Sequence, residues 1–336
     1  MVVTIKDIAK EANVSIATVS RYINQNGYVG IESALKVKEA IKKLGYKVKG
    51  TVNSVSKLNL IEVDFPKINN PFYSELFEYL AFYLQEKGYD CILHLDHYQS
   101  QDINYYLERF KQKEIAGLIT SSPIKIPKKG LKIKFPIVSF DRKISPQIPT
   151  VQSNNYDAGM QIAQSVLKQK KKKIIIIAGA KEDYYPISDR IKGMIRVFNT
   201  FDSKFDLRSL SASDSIIAKK IAILQFLKDD EYDAICCTDD ITALLAKECA
   251  DYLGKVPLIT GFDGTHLIQS LFPNLISARQ HTKEIAELMS DLLLRQINDP
   301  SASLESVYTL PVSLGNSSLS VIKDLNFPHA ESLLSL

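Results

Sequence analysis

Over the first fifty residues the apolar positions recur at helical spacing. Ile5, Ile8, Ala9 and Ala12 follow an i, i+3, i+4, i+7 pattern behind Thr4, a residue type that caps helices. "NVS" (Asn13–Ser15) interrupts the pattern. Asn13 tolerates the positive φ of a sharp turn, and Ser15 can cap a second helix on which Val19 and Ile23 point inward. A third run, "ESALKVKEAIKKLGY", puts Ala34, Leu35, Val37, Ile41 and Leu44 on one face and stops at Gly45, a helix-terminating type. Three short helices with a tight turn between the first two predict a helix-turn-helix.

From Leu58 the rhythm changes. Strand-like runs ("LNLIEVDF", "DCILHL", "IAGLIT", "FPIVSFD") alternate with helical ones such as Pro71–Gly88 and Ile103–Lys113. The alternation restarts after Tyr156 with "KKIIIIAG", Arg190–Phe201, "DLRSLS", "YDAICCTDD" and "VPLITGFDG". This spacing predicts parallel, doubly wound sheets, and two successive sets predict two similar lobes with a cleft between them. Ligands in such folds bind beyond the carboxyl ends of strands. The polar residues there are Asp141 and Arg142, Asn154 and Asn155, Asp239 and Asp240, and Asp263, with Arg190 opening a helix. Asp and Asn favour caps and loops in any protein. Their recurrence at strand ends in both lobes points to a site.

Charge divides the chain unevenly. Residues 1–60 hold ten Lys/Arg against four Asp/Glu, which leaves +6 there and −2 on the remainder of a chain whose total is +4. A basic head on a near-neutral body predicts a polyanion partner for the head alone. Cys91, Cys236, Cys237 and Cys249 follow no metal-ligand spacing and fall mostly in apolar runs, so they read as core. Neither a membrane-length apolar segment nor a signal-peptide core is visible, so a cytoplasmic protein is expected.

Catalysis is disfavoured. The acids are scattered without a nucleophile–base arrangement, and the phosphate-cradling patterns GxGxxG and GxxxxGK are missing. His94 and His97 lack further ligands, so no metal and no cofactor are expected. The lysines at 168 and 170–173 follow a helix end, where cations are favoured.

The exposed face of the second helix carries the sharpest signal. A helix that merely covered a core would present Glu, Lys and Gln to water. This one presents Ile16, Ala17, Thr18, Ser20, Arg21 and Asn24, with no acid. Small residues allow close approach to base edges, hydroxyls bond phosphate oxygens, and the Arg fork matches guanine O6 and N7.

The string "TIKDIAKEANVSIATVSRYIN…YVGIESALKVKEAIKKLGYK" resembles the headpiece of the LacI/GalR family of bacterial transcription regulators. The body resembles the effector domain of that family, which is similar to periplasmic sugar-binding proteins, through "NNPFYSEL", "PIVSFDR", "SNNYDAG", "SDRIKG", "AICCTDDITAL" and "ITGFDG…ISARQ". The resemblance implies an all-α helix-turn-helix headpiece followed by an α/β core of two doubly wound Rossmann-like lobes. Its boundaries would be 1–49 for the head, 50–57 for a hinge, 58–318 for the effector and dimerisation domain, and 319–336 for a tail. Lobe 1 would take about 58–154 plus 282–306, and lobe 2 about 155–281 plus 307–318.

By the same resemblance Ile16 and Ala17 read bases, while Thr4, Ser15, Thr18, Ser20, Arg21, Asn24 and Tyr28 complete the contacts to double-stranded operator DNA. The stretch "KVKGTVNSVSKLN" departs from the family's Pro-Asn-x-x-Ala-Arg-x-Leu hinge. Val52 or Val55 would have to replace its minor-groove leucine, or the stretch is a plain linker. Arg190 would fork onto ligand oxygens, Asp263 would accept from hydroxyls, and Asp141, Asn154 and Asp239 would join them, with Phe72 and Phe140 against an apolar ligand face. Asn154 stands where many members have Asp, and Asp239 where many have Asn, which implies an effector other than a lactose-type galactoside. "AESLLSL" is too short for a heptad bundle, so a homodimer is expected rather than a tetramer.

The expected protein is a repressor of carbohydrate uptake or catabolism genes, released from a palindromic operator when a sugar enters the cleft. A purine- or nucleoside-responsive regulator, one using a phosphocarrier-type protein coregulator, and a solute-binding receptor are the alternatives.

Overall fold

The computed structural model describes residues 3–24, 29–44, 46, 59–96, 100–126, 133–180 and 186–315. The chain divides into two compact units, Met1–Leu58 and Asn59–Leu336. Gly45, Tyr28, Val52, Val55 and His97, each singled out in the sequence, lie outside the described residues.

The first unit holds α1 (Ile5–Ala12), α2 (Ile16–Asn24) and α3 (Ile31–Lys43). Asp7, in the first turn of α1, accepts hydrogen bonds from both the Thr4 backbone N and its Oγ1 at 2.7 Å. Those two bonds hold its carboxyl below the ordinary value. Asn13 ends the helix at φ 51°, ψ 47°, the left-handed conformation the turn demands. Ser15 Oγ then accepts from the Thr18 backbone N at 3.0 Å and starts α2. Ile8, Ala9, Ala12, Val19, Val37 and Ala40 form the core. An ion pair from Lys43 Nζ to Glu11 Oε1 (2.6 Å) ties α3 to α1. Leu35 corrects the sequence reading, because it is 56% exposed. It sits about 200° around the helix from Val37, so the two cannot share a face.

The second unit begins with β1 (Leu60–Phe65), α4 (Pro71–Glu86), β2 (Asp90–Leu95), β3 (Gln101–Asp102), α5 (Ile103–Lys111), β4 (Gly117–Thr120), β5 (Ile124–Lys125), β6 (Ile137–Phe140) and β7 (Thr150–Ser153). It continues with α6 (Asn155–Lys168), β8 (Lys173–Ala178), α7 (Ile187–Thr200), β9 (Lys204–Ser209), α8 (Ile216–Leu227), β10 (Ala234–Cys237), α9 (Asp240–Tyr252) and β11 (Leu258–Asp263). The last elements are α10 (His266–Leu271), β12 (Ile276–Gln280), α11 (Thr282–Asn298), β13 (Val307–Leu310) and β14 (Val312–Gly315).

Two six-stranded sheets result, ordered β13-β7-β6-β4-β1-β2 and β14-β12-β11-β10-β8-β9. The first is parallel throughout, and the second is parallel except for β14, which runs antiparallel to β12. The apolar run of β8 explains the double winding. Ile174 and Ile176 pack beneath α6 and α7, while Ile175 and Ile177 pack beneath α8 and α9. A strand buried on both faces needs no polar alternation.

The chain crosses between lobes three times: after β7, after β12 and at Pro311. The third crossing corrects the expected division, which sent residues from 307 onward to lobe 2. Val307–Leu310 instead pair with Thr150–Ser153 in the first sheet, and Val312–Gly315 pair with β12 in the second. Pro311 lacks the N–H that would continue the ladder, so the chain changes sheets there. Helix α11 packs back on α4, β4, β6 and β7 of the first lobe.

Close approach of α6 and α7 sets up the site. A Cβ on Gly159 would lie 2.1 Å from the Arg190 carbonyl O, and one on Gly193 would lie 2.1 Å from the Tyr156 carbonyl O. Only glycines let the two helices come this near, and that contact brings Arg190 beside the start of α6.

Candidate functional site

On α2, Ile16 is 50% exposed, Ala17 and Arg21 are exposed, and Thr18 and Ser20 are half-buried, while Val19 is fully buried. The helix has no acid in its first turn and carries Arg21 in its last. Ser15 and Thr18 share a 2.8 Å hydroxyl–hydroxyl contact at its N-terminus. Thr4 is exposed at the start of α1. Asn24 is the last residue of α2. The helix thus presents a small, acid-free surface with one guanidinium, suited to a nucleic-acid groove.

In the second unit a cavity of about 430 Å³ opens between the lobes. Phe72, Phe140, Asp141, Arg190, Asp239 and Asp263 all line it, so six of the seven effector candidates come together. Arg190, in the first turn of α7 and 5% exposed, is its centre. Its Nε donates to Asn155 Oδ1 at 2.9 Å and its Nη1 to the Thr238 carbonyl O at 2.7 Å. Asp263 Oδ1 lies 3.5 Å from Nη1, and Asp141 Oδ2 lies 4.0 Å from Nη2. Underneath, the guanidinium carbon sits 3.6 Å from the centroid of the Phe262 ring, a cation–π contact. Phe72 and Phe140 stack on one another with centroids 5.3 Å apart, and Phe72 stands at N2 of α4, after the Asn70 cap and Pro71.

The two acids facing Arg190 are matched across the lobes. Asp141 follows β6 with φ 52°, and Asp263 ends β11 with φ 106°. Positive φ at a non-glycine residue is strained and recurs at ligand sites. Asp141 Oδ1 accepts from the Ser153 backbone N (3.2 Å) and from Asn155 Nδ2 (3.3 Å). Burial raises its carboxyl to about 6 against the pull of Arg190. Burial likewise holds Asp263 well above the ordinary value, with Arg190 opposing and Asp240 adding to the rise. Gln280 links the lobes here: its Nε2 donates to Asp263 Oδ1 (2.8 Å) and its Oε1 accepts from Ser153 Oγ (2.6 Å).

Asn154 is the candidate that does not reach the cavity. It is exposed, and its Oδ1 accepts from the Asp157 backbone N at 3.2 Å as the cap of α6. Its neighbour Asn155, buried at 3% exposure, bridges Asp141 and Arg190 instead. The pattern Asn154-x-x-Asp157 marks an N-cap, and that signal assigns the first asparagine to the helix and frees the second for the site. Asp239 does both: it lines the cavity and caps α9 through the Thr242 backbone N and Oγ1, both at 2.8 Å. Beneath it Asp240 is 2% exposed, accepts from Ser277 Oγ (2.6 Å) and the Gly264 backbone N (2.8 Å), and is raised to about 7 by burial. Tyr73, Ser121, Lys67 and Lys219 also line the cavity and were not singled out in the sequence.

The His94 cluster lies elsewhere. His94 Nδ1 is 3.5 Å from Glu62 Oε1 and 3.6 Å from Asp64 Oδ1, and Tyr106 donates to Asp64 at 2.6 Å. Burial raises Asp64 to about 6. Among the described residues no group of three His, Cys, Asp or Glu could hold a metal ion.

Residues 4–48 match the family described as bacterial regulatory proteins of the lacI family, and residues 61–271 match the periplasmic binding protein domain. The chain is 36% identical over 320 residues to the sucrose operon repressor of Streptococcus mutans, covering 94% of this chain and 98% of that one. It is 31% identical over 301 residues to the ribose operon repressor of Halalkalibacterium halodurans, covering 88% and 90%. A regulator from Alkaliphilus metalliredigens complexed with D-xylulofuranose shares the fold at a TM-score of 0.67 and 23% identity, covering 77% of this chain and 99% of that one.

Proposed function

The chain belongs to the LacI family of bacterial regulatory proteins, and from that premise we propose that it represses saccharide uptake or breakdown genes until a sugar fills its cleft. Its relatives are repressors, and the chain is a regulator rather than an enzyme. The exposed face of α2 reads the operator in the major groove. A homodimer places two such helices on half-sites about one turn apart. Exposed apolar residues on α4 (Phe82) and α10 (Leu267, Leu271) supply a surface for the second copy. The protein works in the bacterial cytoplasm, beside its DNA.

The observation that carries the effector reading is Arg190 poised between Asp141 of one lobe and Asp263 of the other, above Phe262 and near the stacked Phe72 and Phe140. Forked donors and carboxylate acceptors match vicinal hydroxyls, and the aromatic faces match the C–H face of a ring. Arg190 and Asp141 face one another from different lobes at 4.0 Å, so a hydroxyl on the cavity side can bond to both. A ligand that binds the closed cleft better shifts the lobe arrangement by its differential affinity, and the paired heads lose their register on DNA.

Thermal melts against mono- and disaccharides, purines and nucleosides, paired with operator-release titrations, test this. At about 100 Kd a specific ligand adds roughly 2.7 kcal/mol. A sugar that both raises the melting temperature and releases operator DNA is expected. A purine doing so in place of every sugar overturns the assignment.

A further inference from the structure

Glu75, on α4 of the first lobe, reaches the second lobe outside the cavity. Its Oε2 accepts from the His266 backbone N at 2.8 Å, and its Oε1 accepts from Thr282 Oγ1 at 2.5 Å. His266 opens α10, and Thr282 opens α11, the helix that packs back on the first lobe. One carboxylate therefore pins both ends of the α10–β12 segment, and the nearer end lies three residues beyond Asp263. We propose that Glu75 is a positioning residue for operator release, a clasp through which contacts made at Asp263 in the cleft reach α4 of the opposite lobe. This rests on the cavity being the effector site of a sugar-released repressor.

Each link from the cleft to the clasp is short. Asp263, which faces Arg190, has φ 106°, and Gly264 follows it at φ 55°. A Cβ on Gly264 would lie 2.7 Å from Arg279 Cα, so this loop is seated directly on β12. Thr265 Oγ1 caps α10 by accepting from the Ile268 backbone N at 3.4 Å. The His266 N–H, at the first position of the helix, has no partner within α10. Glu75 supplies one from the other lobe, and a carboxylate acceptor makes that bond charge-assisted. On α4, Glu75 stands one turn beyond Phe72, which lines the cavity. The bond has two discrete states, made and broken. Effector contacts that favour one of them bias the lobe-to-lobe arrangement by that difference.

His266→Pro isolates the clasp. Thr265 sits at φ −63°, ψ 156°, the region that proline favours in its predecessor, and proline is tolerated at the first position of a helix. The substitution removes the N–H that donates to Glu75, but also the imidazole, whose Nε2 lies 3.0 Å from Arg279 Nη2. His266→Ala is the control, losing the ring and keeping the N–H. Fluorescence anisotropy on the full chain uses a duplex that the parental protein selects from random DNA, with sucrose, cellobiose, glucose, fructose and ribose as probes. The release factor is the ratio of duplex Kd with and without sugar. It should fall at least about fivefold in His266→Pro and in Glu75→Ala relative to His266→Ala. Glu75→Gln should keep it, because the amide oxygen accepts from the His266 N–H while the NH2 donates to the Thr282 hydroxyl. Being a ratio taken within each variant, the release factor is insensitive to a general loss of folding. Equal release factors in His266→Pro and His266→Ala overturn the clasp and leave the effector site standing. A parental protein that none of these sugars releases from the duplex overturns the sugar-operated reading and the clasp with it.

Discussion

The exposed face of α2 and the floor of the cleft use their side chains in opposite ways. On α2 the fold needs Val19, which is fully buried, while Ile16 and Arg21 are exposed. In the cleft Arg190 and Asp263 are 5% and 7% exposed and are themselves part of the packing. Arg190 is bonded to Asn155 and Thr238 before any ligand arrives. A DNA-reading surface must stay unsatisfied until a groove satisfies it, whereas a preorganised polar cleft must be satisfied internally to survive burial. Function should therefore be separable from stability in the head and inseparable from it in the body.

Replacing Arg190 by Leu tests the body most severely. The change strips the cation from between two buried carboxyls and leaves the Asn155 and Thr238 acceptors without their donor. Removing one partner of a buried ion pair costs about 3 kcal/mol or more, although protonation of Asp263 can soften the loss. A melting temperature lower by roughly 6–10 °C, together with loss of the sugar-induced shift, is expected from calorimetric scans. A variant that melts like the parent and still answers sugar would end the claim that the floor serves both purposes.

Arg21→Ala applies the complementary pressure. Operator affinity, read by fluorescence anisotropy, should drop by about 1–3 kcal/mol per head if the guanidinium reads a base edge. The melting temperature and the sugar response should stay at parental values, as for a surface change worth within about 0.5 kcal/mol. Were the melting temperature to fall as far as in Arg190→Leu, the contrast between the two regions would vanish.

The same contrast governs what could be read from the sequence. In the head, angular periodicity found Ile8, Ala9, Ala12, Val19 and Val37; where hydrophobicity was followed instead of angle, on the third helix, it put Leu35 inside and passed over Ala40. In the body the rule that ligands sit past strand ends found Asp141, Asp239 and Asp263 without contact information. It also chose Asn154, which caps α6 and does not line the cavity, because two adjacent Asn residues offer the same chemistry and only capping geometry separates them. Lys67 and Lys219 were illegible for a different reason. A lysine in a loop or on a helix is ordinarily solvated, and only the tertiary fold shows these two lining a cavity. Residues 307–318 were assigned to lobe 2 together, because a single proline, Pro311, was the only mark of the change of sheet.

Acidity offers the gentlest test, and here the two units should differ in sign. In the body, burial raises Asp64 and Asp141 to about 6 and Asp240 to about 7. Unfolded, these carboxyls titrate near 4. The folded body therefore binds more protons in that interval. Their favourable contribution is fully present below about pH 4 and is lost as pH rises through 6 to 7. In the head, Thr4 holds the Asp7 carboxyl below its ordinary value, so its contribution is present above about pH 4 and is lost as pH falls through the folded value. Peptide-resolved hydrogen exchange separates the units. Moving from pH 7 to 6, after correction for the intrinsic exchange rate, strand β8 should gain protection on the order of 1 kcal/mol while α1 stays unchanged. Asp240→Asn should flatten the body's slope, since Asp240 titrates nearest to neutrality among the three. Protection of β8 that grows from pH 5 to 7 would mean that burial does not lift these carboxyls above their unfolded range, and the opposite signs expected of the two units would have to be abandoned.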